Sequence, residues 1–248
     1  MKFVFLGDVG STNDEAVSYF EAGDKPPFWI AAKSQSAGRG RRGRSWQSDN
    51  GNLYCTGVYP VLNTPQLTGL LSFTAALALY DALETYIDPN DISIKWPNDV
   101  LVKGAKVAGI LLEMRNNHVL VGIGVNLVSS PEGTPYPATS LLANMTEAQL
   151  SQIEPAIPTP ESVLAVLAAR FQHWHDTLIE RGFVHLRQVW LLRAKNVPGN
   201  VTVNLSNESF KGRAIDMGPN GELQVRLMNG TIRNIHAGDV FFEPRDDE

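Results

Sequence analysis

A long and nearly uncharged segment constrains the fold of this chain more than any other feature. Between residues 65 and 87, only Asp81 and Glu84 are charged. A helix that is apolar on most sides must be buried, and a sheet is a surface that can bury it. We therefore expect a protein in which this helix packs against a sheet.

Strand-like segments rich in Val and Ile follow this helix. Four of them lie between residues 92 and 127, and Asn116-Asn117 is a plausible hairpin turn between the last two. Short connections of this kind favour antiparallel pairing, and three earlier segments extend the predicted sheet, which is mixed and mostly antiparallel. The predicted strands are residues 3–6, 28–33, 53–59, 92–96, 99–103, 105–115 and 118–127.

Further helices are predicted on both sides of this strand-rich region. STNDEA at residues 11–16 opens the first, with Thr12 as N-cap and Glu15 completing a capping box. Residues 129–160 are typical of a loop region around a short helix near SLLANM. An apolar stripe then indicates a core-facing helix, and a second helix is predicted at residues 183–194. The stripe consists of Val163, Leu167, Phe171, Trp174 and Leu178.

The pattern changes again after Asn196, where short strands alternate with turn signals. This pattern is typical of a small β-barrel. At 248 residues the chain is long enough for one large domain and a small one. We therefore predict an α+β protein with domains at residues 1–195 and 196–248.

Composition restricts the compartment and the kinds of site. No apolar run approaches the ~18 residues of a membrane helix, and MKFVFLGD is too short an apolar start for a secretory signal. We expect a cytoplasmic protein without membrane association. Cys55 is the single cysteine, and His173 and His175 point to different faces of a predicted helix. We therefore expect no disulfide and no structural metal.

The sequence GRGRRGR at residues 38–44 concentrates positive charge in a chain whose formal net charge is -5. One basic loop, rather than a basic face, favours a small anionic ligand such as a nucleotide, although RNA stays open. Glycines allow the backbone to approach a ligand, and arginines provide planar donors for phosphate oxygens. The alternative is a solvated basic loop or a localisation-type cluster.

The sequence KWPND at residues 95–99 supplies another candidate cation. Lys95 ends a buried-looking strand, and Pro97 fixes the turn that follows. A lysine at a rigid strand end can hold a carboxylate and a phosphate together. The commoner role of such a lysine is an exposed charge at a strand edge.

Six motifs, taken in order, resemble those of the biotin protein ligases, also called biotin-[acetyl-CoA-carboxylase] ligases. They are STN (11–13), QSAGRGRRGRSW (35–46), NLY (52–54), KWPND (95–99), KVAGILLE (106–113) and GIGVNL (122–127). The resemblance spans nearly the whole chain. It implies a class II aminoacyl-tRNA synthetase-like catalytic domain and a C-terminal SH3-like β-barrel.

The resemblance also implies a two-step reaction. The carboxylate of biotin attacks the α-phosphate of ATP, giving biotinyl-5′-AMP and pyrophosphate, and Mg²⁺ is expected to accompany the ATP. A lysine of the biotin carboxyl carrier protein of acetyl-CoA carboxylase then attacks the mixed anhydride. The loop arginines would neutralise phosphate charge and cover the anhydride against water. A homodimer is possible, because the family commonly pairs its catalytic-domain sheets.

Site residues follow from the resemblance position by position. Lys95 and Arg41 are the catalytic candidates, acting by charge stabilisation rather than proton transfer. Arg44 would contact pyrophosphate, Asn126 would meet adenine, and Trp46 would wall the nucleotide site. The biotin-binding set is Ser11, Thr12, Asn13, Gln35, Arg39, Gly40, Arg41 and Lys95, and the nucleotide-binding set is Arg39, Arg41, Arg44, Trp46 and Asn126. No metal ligand and no residue of the 129–160 loop is assigned.

Alternatives remain open within and outside this enzyme class. The related lipoate-protein ligases use a different loop, rich in small residues, in place of GRGRRGR. In related octanoyltransferases a cysteine carries the acyl group, but Cys55 lies mid-strand in LYCTGVY, so we predict a packing role. A nucleic-acid-binding regulator is the alternative from another class. Because the first predicted strand starts at residue 3, we expect no N-terminal DNA-binding domain.

Overall fold

Two sheets organise the computed structural model, which describes residues 1–134, 136–152 and 157–243. The strands of the first sheet are β1 (Lys2–Val9), β2 (Phe28–Gln35), β3 (Leu53–Pro60), β4 (Ile92–Lys95), β5 (Asp99–Val102), β6 (Ala105–Arg115) and β7 (His118–Val125). Those of the second are β8 (Gly199–Asn204), β9 (Ser209–Met217), β10 (Leu223–Arg226), β11 (Ile232–Ile235) and β12 (Asp239–Phe242).

The strand order confirms the predicted mixed, mostly antiparallel architecture. The first sheet runs β1-β2-β3-β7-β6-β5-β4, and the second runs β11-β10-β9-β8-β12. Strands β1 and β2 are parallel, whereas the other neighbours in both sheets are antiparallel. The Asn116-Asn117 turn between β6 and β7 has φ values of 45° and 62°, as a tight hairpin turn requires.

The helices also follow the predicted segments, with two corrections. They are α1 (Thr12–Glu21), α2 (Pro65–Gly69), α3 (Leu71–Leu83), α4 (Glu147–Leu150), α5 (Pro160–Arg181) and α6 (Phe183–Leu192). The segment expected to be one helix over 65–87 is divided at Leu70 and ends at Leu83. The N-cap of α1 is Ser11, which accepts from the Asn13 amide, and not Thr12. The Thr12 amide and hydroxyl instead contact Gln35.

The two faces of the first sheet are covered differently. Along β2, Trp29 belongs to the main core with α3, α5 and α6, whereas Phe28 and Ile30 pack with Ala16 of α1 on the opposite face. Alternate residues of a strand point to opposite faces, which explains this division. Helix α1 contacts β2, β3 and β7. It therefore covers only part of its face.

The segment Pro65–Leu83 is long and apolar enough to cross a membrane by length and composition alone. Within the protein, 78% of that window is buried. Helix α3 packs against α5 and against strands of the first sheet. Helix α3, the longer part of this segment, is thus the buried core helix that the sequence predicts, and the predicted stripe on α5 is buried as well.

The second sheet lies against α6 and the end of β4. The Trp96 indole donates a buried hydrogen bond to the Gly221 carbonyl oxygen at 2.9 Å, and Arg187 of α6 forms an ion pair with Asp216 of β9. Strand β8 begins at Gly199, and the domain boundary between residues 195 and 196 stays a prediction. The predicted 129–160 loop contains a 3-10 turn at Leu142–Asn144 and helix α4. Residues 135 and 153–156 of this loop lie outside the described residues, as do residues 244–248 of the predicted second domain.

Candidate active site

A cavity of about 480 Å³ opens on the part of the first sheet that α1 leaves uncovered. The start of α1, the basic loop, strands β4 to β7 and the start of β12 surround it. Its volume lies within the range of small-molecule pockets. Every residue predicted for the site lines this cavity: Ser11, Thr12, Asn13, Gln35, Arg39, Gly40, Arg41, Arg44, Trp46, Lys95 and Asn126.

One end of the cavity is a dense hydrogen-bonding pocket. The Gln35 Oε1 atom accepts from the Thr12 backbone amide at 2.8 Å. The Thr56 hydroxyl lies 2.9 Å from the Thr12 hydroxyl and 2.6 Å from Asn13 Oδ1, and Asn13 Nδ2 donates to Glu113 at 3.0 Å. Hydroxyls and amides in a buried position suit an uncharged polar ligand group with donors and acceptors.

The floor of the cavity is built around Trp46. A Cβ at Gly124 would lie 2.5 Å from the indole Nε1, and one at Gly109 would lie 2.9 Å from Cζ3. Glycine at these two strand positions therefore lets the indole lie directly against β6 and β7. The Lys106 ammonium lies 5.3 Å from the indole ring centroid. Trp46 therefore forms part of the cavity floor, and its predicted contact with a nucleotide stays a prediction.

Asn126 closes the far end of β7. Its side-chain Nδ2 donates to the Thr139 carbonyl oxygen at 3.1 Å, and its backbone carbonyl oxygen accepts from the Leu141 amide at 2.8 Å. The residue is buried. These bonds hold the segment after β7 in place, and the predicted adenine contact remains a separate prediction.

Four arginines and two lysines line the cavity, and they divide into two groups. One group is ion-paired: Arg39 with Asp14 at 2.7 Å, Lys106 with Asp99 at 2.6 Å, and both Arg42 and Arg44 with Asp239. The pair with Asp14 raises the pKa of Arg39 and lowers that of the carboxyl. In the ranges that the structure describes, Lys95 and Arg41 form no ion pair.

Neutral groups hold Lys95 and Arg41 instead. Arg41 Nη1 donates to Asn98 Oδ1 at 3.0 Å, and Asn98 is fixed in turn because its Nδ2 donates to the Ile110 carbonyl oxygen at 2.7 Å. The Lys95 ammonium lies 4.4 Å from the ring centroid of Tyr136. Burial lowers the pKa of both cations. An anionic ligand can therefore reach these two charges without displacing a carboxylate.

Cys55 has no part in this arrangement. It is 1% exposed on β3, belongs to the main core on the other face of the sheet, and has a thiol pKa raised by burial. A neutral thiol in such surroundings is a poor nucleophile. The predicted packing role of Cys55 is confirmed.

Sequence comparisons identify relatives along nearly the whole chain. The Biotin/lipoate A/B protein ligase family matches residues 9–127, and the Biotin protein ligase C terminal domain matches residues 200–243. The biotin-[acetyl-CoA-carboxylase] ligase of Paracoccus denitrificans is 36% identical over 96% of this chain and 99% of that protein. The bifunctional ligase/repressor BirA of Bacillus subtilis is 29% identical over 85% of this chain and 65% of its own length.

Solved structures of biotin protein ligases have the same fold. The Aquifex aeolicus enzyme in complex with biotin and ATP superimposes with a TM-score of 0.80 at 24% identity, covering 98% of this chain and 99% of that one. The Leishmania major enzyme in complex with biotinyl-5-AMP gives a TM-score of 0.62 at 25% identity, covering 95% and 99%. The predicted synthetase-like catalytic domain and SH3-like C-terminal domain are thereby confirmed. The chain belongs to the biotin protein ligase family.

Proposed function

We propose that this chain is an ATP-dependent ligase that converts biotin to biotinyl-5′-AMP and transfers the biotinyl group to a lysine of a carrier protein. One observation carries the proposal. A single cavity joins a pocket of hydroxyl and amide groups to two half-buried cations, Lys95 and Arg41, that neutral groups hold. Biotin has a matching division, because its ureido head is uncharged and its carboxylate is anionic.

The residues would divide the ligand between them. Ser11, Thr12, Asn13 and Gln35 would bind the ureido head. Thr56 and Glu113 would hold Thr12 and Asn13 in place through their hydrogen bonds. Lys95 and Arg41, with Arg39 and Gly40 beside them, would hold the carboxylate and the α-phosphate. Arg39 and Arg44 would contact the phosphates, and Asn126 and Trp46 would border the adenosine.

The proposed chemistry needs charge stabilisation more than proton transfer. A biotin carboxylate oxygen attacks the α-phosphorus, the P–O bond to the β-phosphate breaks, and pyrophosphate leaves. Negative charge accumulates on the α-phosphate oxygens between Lys95 and Arg41, where fixed cations in a partly buried site are most effective. In the second step the acceptor amine attacks the anhydride carbonyl and AMP leaves. The arginine loop would exclude water in between.

Mg²⁺ is proposed to enter with the nucleotide. Among the described residues, no group of three or more His, Cys, Asp or Glu side chains could hold a metal ion. Asp99 lines the cavity and pairs with Lys106 at 2.6 Å; on exchanging that partner it would add one carboxylate to a metal held mainly by phosphate oxygens and water. The residues fit such a site, in which the metal would neutralise phosphate charge.

The proposed acceptor is the biotin carboxyl carrier protein of acetyl-CoA carboxylase, the carboxylase in the name of the Paracoccus denitrificans relative. A cytoplasmic location, the absence of DNA binding and a homodimer also stay proposals. A gel-shift assay with biotin operator-like DNA tests the absence of DNA binding. Sedimentation at several protein concentrations tests the homodimer. A retarded DNA band would favour the regulator alternative.

A carrier-domain assay tests the proposed function directly. The protein, biotin, ATP and Mg²⁺ are incubated with a biotin carboxyl carrier domain, and the products are analysed by mass spectrometry. We expect one biotinyl group on one carrier lysine, with one AMP released for each group transferred. Equal transfer of lipoate to a lipoyl domain would favour the lipoate ligase alternative.

Replacing Cys55 with alanine separates ligation from cysteine-dependent acyl transfer. We expect carrier biotinylation at the wild-type rate, because the thiol faces the core and not the cavity. The free energy of unfolding should fall by about 1 kcal/mol, since a buried sulfur is removed. Urea unfolding and the carrier assay measure the two effects. Loss of transfer in a folded Cys55→Ala protein would restore the cysteine mechanism.

The pH dependence of adenylation should reflect the burial of Lys95. Burial lowers the pKa of this ammonium from its ordinary value of 10.5. As the pH rises, Lys95 therefore loses its positive charge at a lower pH than an exposed lysine does. We expect kcat/KM for biotin to fall along an alkaline limb below pH 10.5. Lys95→Arg keeps its charge there and should lose the limb while retaining part of the activity. The same limb in both proteins would assign it to another group.

A further inference from the structure

The C-terminal sheet reaches the active site through one face of β12. Gly238, Asp239 and Val240 line the cavity. The Asp239 carboxylate accepts hydrogen bonds from Arg44 and, at 3.4 Å, from Arg42. Phe241, two residues further along the strand, packs on Tyr136 with 5.0 Å between ring centroids. Asp239 and Phe241 are alternate residues of β12, so their side chains lie on the same face of the strand. That face is turned toward the cavity.

Asp239 is presented by a frame that is fixed elsewhere. Its strand pairs with β8, and the second sheet is attached to the catalytic domain through the buried Trp96–Gly221 hydrogen bond. Arg42 and Arg44, by contrast, are exposed residues of a loop. A change of partner at this contact would therefore move the arginine side chains and not the carboxylate.

The two arginines differ from Lys95 and Arg41 in what a ligand must displace. A phosphate group that approaches Arg42 or Arg44 competes with the carboxylate already bound there. The hydrogen bond from Arg44 to Asp239 raises the pKa of the arginine, and the contact is only partly buried. A partly exposed ion pair is weak, so a more highly charged anion can replace it.

We propose that Asp239 is a positioning residue that holds Arg42 and Arg44 over the cavity until the pyrophosphate part of the nucleotide takes its place. This inference rests on the proposed function, because it assigns those arginines to the phosphates of ATP. The carboxylate would order the loop before the nucleotide arrives. It would also compete with pyrophosphate after the bond to the α-phosphate breaks, which favours release of this product.

The first test is titration calorimetry of the full-length protein with inorganic pyrophosphate in the presence of EDTA. Asp239→Asn should bind pyrophosphate about fivefold more tightly than wild type, because the competing ion pair is gone. Asp239→Glu keeps the charge and should bind within about twofold of wild type. Equal or weaker binding by Asp239→Asn, or no binding by any variant, would overturn the proposal.

Two further variants control for charge alone. Glu132→Gln removes a carboxylate that lines the same cavity, and Glu208→Gln breaks an exposed pair with Arg233 in the same sheet. Glu208→Gln should leave pyrophosphate affinity unchanged, and Glu132→Gln should raise it by less than about twofold. An increase in Glu132→Gln as large as in Asp239→Asn would mean that cavity charge, not the arginine contact, sets the affinity.

The second test follows cleavage of the loop by trypsin and needs no catalysis. Without ligand, the GRGRRGR segment of Asp239→Asn should be cut severalfold faster than that of wild type, because Arg42 and Arg44 lose their partner. Saturating pyrophosphate should slow cleavage of both proteins to similar rates. Identical cleavage of the two ligand-free proteins would remove Asp239 from loop positioning.

The outcomes separate this inference from the proposed function. Suppose that wild type exchanges pyrophosphate into ATP only with biotin, and that Asp239→Asn has the pyrophosphate affinity and the loop cleavage rate of wild type. This result would exclude the role of Asp239 and support the proposed function. If wild type shows no exchange, yet Asp239→Asn binds pyrophosphate more tightly and is cut faster, the proposed function falls. The same result would still support the contact between Asp239 and the loop arginines.

Discussion

Replacing Lys95 with alanine is expected to lower biotin adenylation by on the order of 10²-fold or more. The side chain enters the cavity from the end of β4, and its ammonium is held by the ring of Tyr136 at 4.4 Å rather than by a carboxylate. Its charge would therefore be available to the α-phosphate as negative charge develops there. Single-turnover formation of biotinyl-AMP measures the loss.

Lys103→Ala is the matched control for this experiment. Lys103 follows β5 on the hairpin that carries Lys95, but its side chain is 55% exposed and pairs with Asp91 at 3.6 Å. Its removal should change adenylation by less than about twofold, since exposed pairs contribute little. Both variants should retain the wild-type circular dichroism spectrum. Near wild-type adenylation by Lys95→Ala would exclude Lys95 from the mechanism.

Replacing Arg41 with glycine should make the enzyme release its intermediate. Arg41 is aimed into the cavity by Asn98, which is bonded to the backbone of β6. Loss of a charged hydrogen bond to the adenylate phosphate should cost about 1.5–3 kcal/mol of biotinyl-AMP affinity, or roughly tenfold to a hundredfold. Free biotinyl-AMP acylates exposed lysines of any protein. The variant should therefore biotinylate bystander proteins and itself, whereas the intact enzyme labels the carrier domain.

Incubation with biotin, ATP and excess serum albumin, followed by detection with streptavidin, measures this release. Arg42→Gly is the matched control for the loop backbone, because Arg42 already has a φ of 56°, which glycine adopts without strain, and its side chain contacts Asp239 and not Asn98. Arg42 is proposed to meet pyrophosphate, which has left when the adenylate is held, so its loss should slow adenylate formation without releasing the adenylate. Albumin labelling is therefore expressed per adenylate formed. Albumin should be labelled strongly by Arg41→Gly and close to the wild-type level by Arg42→Gly. Unlabelled albumin with an Arg41→Gly enzyme that still forms adenylate would rule out the covering role.

Much of the fold could be predicted because it follows from local patterns. The strand segments, the Asn116-Asn117 turn and the stripe on α5 depend on alternation, turn chemistry and helical spacing within a few residues. The wrong N-cap shows the limit of such signals. Ser11 and Thr12 are both good capping residues, and the choice is made by Gln35, which lies 23 residues away and occupies the Thr12 hydroxyl.

The site residues that lie in recognisable motifs could be predicted from the sequence. The residues that reach the site only through tertiary contacts could not. Motif residues such as Lys95 and Arg41 do line one cavity. Asn98 stands inside KWPND, yet nothing in the sequence indicates that its amide joins Arg41 to β6. Thr56 lies in the middle of β3, and no motif in the sequence links it to Thr12 and Asn13. Asp239 is 195 residues from Arg44, and only the docking of the second sheet brings them together.

Exchange of labelled pyrophosphate into ATP tests the central claim most directly, since it reports the first half-reaction without an acceptor protein. The wild-type protein is incubated with ATP, Mg²⁺ and labelled pyrophosphate, with biotin, with lipoate, or with neither acid. We expect label in ATP when biotin is present and background incorporation in the other two mixtures. Incorporation that is independent of biotin, or that lipoate supports equally well, would contradict the assignment of this chain as a biotin-activating enzyme.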